Sequence, residues 1–116
     1  MKRTLTAFVM SACLFTSTAF AANPKVDAAV KTFAVIEADA GKLKQFCEMF
    51  KTMTDASNEQ DEAKAKALEE KIAGQIKALG DAFGTAWDLQ GELDENTADG
   101  KTYFAAIDKM IDKCPQ

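Results

Sequence analysis

Apolar residues recur along this chain at spacings of three and four from position 26 onward, the period of helices that bury one face. Val26, Val30, Phe33, Ile36 and Ala40 form the first stripe, and Asn23-Pro24 before it reads as an N-cap followed by a first-turn proline. Gly41 suggests a break, after which Leu43, Phe46, Cys47, Phe50 and Met53 carry the same period into a second helix. Ser57-Asn58-Glu59-Gln60 is turn chemistry, with Ser57 and Gln60 spaced as a capping box. A third stripe follows in Leu68, Ile72, Ile76, Leu79, Phe83 and Trp87. Gly74, Gly80 and Gly84 weaken it, and a kink is expected near Gly80, where Asp81 can cap a new turn. Gly91 to Gly100 is a polar connection. Thr97 caps the last helix, whose face is Phe104, Ile107, Ile111 and Cys114 and whose final turns carry Lys109 and Lys113. Four amphipathic segments with short links predict an all-α fold, a small four-helix bundle or a close variant of one.

The residues ahead of these helices have a different character. Lys2 and Arg3 precede an apolar run from Leu5 to Phe15, and Ala19-Phe20-Ala21 places small residues where a signal peptidase inspects the chain. This layout predicts a cleaved secretory signal peptide over residues 1–21 and one helical domain over 22–116. The run is too short for a membrane anchor, which needs about 20 apolar residues. A lipidation box at Met10-Ser11-Ala12-Cys13 is disfavoured because the apolar stretch before Cys13 is short and continues past it. The protein is therefore expected in the periplasm or outside the cell, with no membrane anchor after cleavage.

Cleavage changes two counts. Cys13 leaves, so residues 22–116 keep only Cys47 and Cys114, 67 positions apart. An even number of cysteines in a small exported domain predicts one disulfide, which would pin the last helix onto the second. The competing reading, two free thiols acting as a redox or metal pair, lacks a CxxC spacing. Lys2 and Arg3 leave as well, so 12 lysines face 18 acids, a net charge of −6 without any arginine. That balance argues against nucleic acid or an anionic membrane as partner, since no guanidinium is present to grip phosphate.

The absence of histidine from the whole chain narrows the chemistry further. Nucleophile triads need it as the base, and Ser57, the one serine after residue 21, has no such partner. A CxxCH haem site is absent and histidine-ligated haem is impossible, so no cofactor and no enzymatic activity are expected. Three candidate sites survive. Met49 and Met53, at i and i+4, could offer thioethers to a soft metal, although methionine more commonly fills core gaps. The acidic stretch 94–100 resembles a calcium loop, but either alignment of its glycine fails the EF-hand spacing; Asp94 and Asp99 remain as a weak cation candidate. Trp87 and Tyr103 flank that loop and are candidates for partner contact; the alternative is that they close the end of the bundle.

A short, exported, all-helical chain with one disulfide resembles, in those general features alone, the small periplasmic acid-stress chaperones. The expected function is non-enzymatic, through contacts with unknown protein partners, as an accessory, inhibitory or stress-chaperone factor. The alternative is a carrier of a small ligand or metal ion, using the bundle interior, the Met49/Met53 face or the acidic 94–100 loop.

Overall fold

A computed structural model describes residues 23–116; the expected signal peptide lies outside the described residues. These fold into five α-helices with no strand among them: α1 (Pro24–Ala38), α2 (Ala40–Asn58), α3 (Glu62–Ala78), α4 (Asp81–Asp88) and α5 (Ala98–Asp112), with a 3-10 turn over Leu89–Glu92 between the last two.

Short polar side chains start most of these helices by accepting the backbone N–H groups that a first turn leaves unpaired. Asn23 accepts from the Lys25 N–H at 3.0 Å, with Pro24 as the first helical residue. Asp39 does double duty. Its own N–H closes α1 on the Ile36 carbonyl at 3.2 Å, while its carboxylate accepts from Gly41 at 3.0 Å and Lys42 at 3.1 Å to open α2. The break therefore falls at Asp39 rather than at Gly41, because a carboxylate can cap where a glycine cannot. Ala40 accordingly begins α2 instead of completing the α1 stripe.

The expected Ser57/Gln60 capping box does not form. Helix α2 runs on to Asn58, the Ser57 hydroxyl donates back to the Met53 carbonyl at 2.9 Å, and Asp61 caps α3 by accepting from Lys64 at 3.0 Å. Thr97 caps α5 as expected, accepting from Gly100 at 3.0 Å.

The third stripe is two helices rather than one, so the bundle has five. Gly80 takes a φ of +106°, outside the helical region and costly for any residue with a Cβ. The two halves then serve different neighbours: α3 packs on α2, and α4 packs on α1. A straight helix would not reach both.

The core gathers where α1, α2, α4 and α5 meet. Phe33 from α1 stands edge-on to Tyr103 at 5.4 Å and to Phe83 at 6.1 Å between ring centres. Phe46 from α2 meets Phe83 and Trp87 edge-on, each at 6.2 Å, and Phe83 stacks on Trp87 at 5.5 Å. Rings prefer these offset and perpendicular arrangements, which add to the gain from removing their surface from water. Val26, Ala29, Ile36, Met49, Leu79, Ala86, Leu89, Ile107 and Met110 are buried with them. Helix α3 buries no residue fully; Leu68, Ile72 and Ile76 are half-covered.

Cys47 and Cys114 stand at disulfide distance, 2.06 Å between sulfurs and 5.4 Å between Cα atoms, tying the end of α5 to the middle of α2 as the cysteine pattern predicted. Among the described residues no helix is long and apolar enough to cross a membrane.

Candidate functional site

The longest helix among the described residues, α2, presents an apolar face toward the end of the chain. Leu43, Cys47 and Phe50 recur on α2 at i, i+4 and i+7, so they share a face. The last turn of α5, with Ile111, and the chain beyond it, with Cys114 and Pro115, supply the opposite wall. Between them runs an open groove of about 730 Å3. Phe50 is held in position by stacking on Phe46, 6.4 Å away at 17°. The disulfide therefore belongs to the groove's surface as well as to the fold's covalent frame.

Charges of both signs rim this groove. Lys51 donates to Asp55 at 3.0 Å within α2. Lys113 donates to Glu37 on α1 at 2.7 Å. That hydrogen bond holds the Glu37 carboxyl below the usual carboxylate range; loss of hydration opposes it, and the charges of Lys113 and Lys109 reinforce it. Lys44 and Glu48 also line the groove, and neither has an ion-pair partner among the described residues. An apolar floor inside a mixed-charge rim is the usual anatomy of a protein contact surface.

A second, smaller groove of about 490 Å3 lies between α1 and α4, walled by Ala28, Thr32, Ala82 and Thr85. Val35, on the same α1 face as Ala28 and Thr32, is 57% exposed and is the one large apolar side chain so exposed among the described residues.

The residues singled out from the sequence are placed as follows. Met49 is fully buried, and Met53 packs half-buried against the same core. An ion seeking the Met49 sulfur would have to enter that packed interior. Asp94 shapes its own loop: its carboxylate accepts from the Asn96 backbone at 2.8 Å and from the Asn96 side chain at 3.1 Å. Asp99 sits in the first turn of α5, where negative charge suits the helix dipole. Among the described residues no three acidic, cysteine or histidine side chains come together as a metal site.

Trp87 and Tyr103 are 7% and 0% exposed, so they present almost no surface to a partner and instead close the loop end of the bundle from inside. Tyr103 does this with its hydroxyl, which donates to the Ala86 carbonyl at 2.6 Å and the Trp87 carbonyl at 3.2 Å. These belong to the last turn of α4, whose carbonyls lack partners further along the helix. Burial drives the Tyr103 phenol up to about 12, with the Gln90 backbone opposing and the charge of Asp88 adding to the rise.

No protein-family model, curated protein or solved structure matches this chain. Its function is therefore argued from its own groove.

Spacing alone does not reveal the groove. Leu43, Phe50 and Ile111 recur with the period of a buried face, and spacing does not report where a neighbouring helix ends.

Proposed function

We propose that this chain is an exported, non-enzymatic helical protein that acts through protein contacts, as an accessory, inhibitory or stress-chaperone factor. One observation carries the reading: the apolar, mixed-charge groove between α2 and the chain end. Its floor offers aliphatic and aromatic surface to a partner side chain, and its lysines and carboxylates can set register at the edge. Export is supported by the Lys2-Arg3 start, the apolar run after it and the small residues around Ala21. The lack of any histidine supports a role without acid–base chemistry.

Site-specific photo-crosslinking in cells tests the proposal. A photoreactive residue replaces Lys44 on the groove rim or, as control, Lys64 on the exposed side of α3. Discrete protein adducts from position 44 that are absent from position 64 support the reading. Equal labelling at both positions, or no adduct at either, overturns it.

A further inference from the structure

The last residues are held differently from the rest of α5. Tyr103, Ile107 and Met110 anchor the helix in the core, but beyond Met110 no residue is fully buried. Ile111 and Cys114 are half-covered, and Asp112, Lys113, Pro115 and Gln116 are exposed. Two clasps hold this end: the Cys47–Cys114 bond to α2 and the 2.7 Å pair between Lys113 and Glu37 to α1. Both cysteines line the open groove and neither is fully buried. Lys44 stands one turn before Cys47 on that groove and has no ion-pair partner among the described residues. Its ammonium favours an incoming thiolate and a departing Cys47 thiolate. Glu48 and Asp55 also face the groove, with Asp55 engaged by Lys51.

We infer that the Cys47–Cys114 bond is a thiol-addressable latch: a dithiol of the CxxC oxidoreductase class reduces it in the folded protein and frees residues 111–116, while the core stays packed. The reagent's thiolate forms a bond to the Cys114 sulfur. The Cys47–Cys114 bond breaks, its electron pair leaves on the Cys47 sulfur, and that sulfur takes up a proton. The reagent's second thiolate then attacks the mixed disulfide at the reagent's own sulfur, and Cys114 leaves as a thiolate and is protonated. Two electrons pass from the dithiol, which ends as a disulfide, and two protein thiols remain. Without its covalent clasp, the wall made by Ile111 and Pro115 moves off, and the groove becomes an open stripe of Leu43, Cys47 and Phe50. This inference stands whatever occupies the groove.

The test treats the purified oxidised protein with dithiothreitol in native buffer, traps thiols with iodoacetamide, and follows mass and hydrogen exchange. The expected result is reduction within tenfold of the rate seen in denaturant. Amide protection should fall at least tenfold in the last turn, where Lys113 and Cys114 donate to the Met110 and Ile111 carbonyls. Fluorescence of Trp87 and helical ellipticity should be unchanged. A double variant, Cys47→Ser with Cys114→Ser, should show the same local loss without any thiol present. Reduction that needs denaturant overturns the inference. So does reduction that exposes Trp87 or strips protection throughout, and so does a double variant that fails to fold.

Discussion

The Tyr103 hydroxyl is the one side-chain donor that reaches from α5 into the last turn of α4, and removing it isolates a single structural claim. Tyr103→Phe keeps the ring that stands edge-on to Phe33 at 5.4 Å and deletes only the oxygen. The Trp87 carbonyl retains the N–H of Leu89, but the Ala86 carbonyl loses its 2.6 Å donor in a buried setting. A buried acceptor left without its partner costs about 1–3 kcal/mol. A domain of this size has about 5–10 kcal/mol of stability, so a loss near 2 kcal/mol lowers the melting temperature by roughly 10 °C. Urea melts followed by the fluorescence of Trp87, the sole tryptophan, give the difference directly. A second readout comes from alkali. Tyr103 is the sole tyrosine, so absorbance at 295 nm titrates it alone, with a midpoint at about 12. The folded state holds the neutral phenol more tightly than the unfolded state does. That contribution is complete below the ordinary value of 10.0 and is lost as pH rises from there to about 12. The loss reaches at most about 2.7 kcal/mol and is absent in Tyr103→Phe. A variant within about 0.5 kcal/mol of the parent in urea, or a phenol titrating at its ordinary value, would refute the assignment of Tyr103 as the cap of α4.

Further perturbations read other parts of the fold. Gly100→Ala should destabilise by about 1–3 kcal/mol, because a Cβ there overlaps the Asp94 carbonyl oxygen and comes within 2.9 Å of the Glu95 Cα; urea melts measure it. Gly74→Ala should stabilise by about 0.5–1 kcal/mol, since nothing lies within 4 Å of that Cβ in the interior of α3, and an unchanged or lower midpoint contradicts it. Glu37→Gln should weaken the parent near neutral pH. The gap should close as pH falls below about 4.5, because a lowered carboxyl contributes only while ionised, and stability curves against pH for both proteins check this. Near pH 2–3 residues 22–116 swing from −6 towards +12, so the stress-chaperone version predicts a loosened state that binds a dye for apolar surface and keeps an acid-unfolded client soluble. Clear solutions must come with dye binding; a tight fold with client aggregation rejects that version.

Much of this fold was legible because helices are local objects. Asn23 and Thr97 cap where the sequence places them, since an N-cap needs only a side-chain oxygen within three residues of the N–H it accepts. Where two local solutions competed, spacing alone chose wrongly. Asp39 outperformed Gly41 as a break because its carboxylate satisfies two N–H groups, and Asp61 displaced the Ser57/Gln60 box by capping about one turn's worth of chain later. The candidate site was less legible. Met49 and Phe46 read as core and are core, yet Leu43 and Phe50 carry the same period and line a groove.

The sequence by itself determined that the chain is helical, where the first and last helices begin, and which two cysteines pair, because period, capping and a count of two thiols need no knowledge of neighbours. Only the tertiary structure decided that the third stripe splits at Gly80 to serve α2 and α1 separately, that Trp87 and Tyr103 face inward, and that Leu43 and Phe50 line an open groove with the chain end. Those outcomes depend on where one helix ends beside another, and that is set by packing between residues far apart in the chain rather than by hydrogen bonds within a turn.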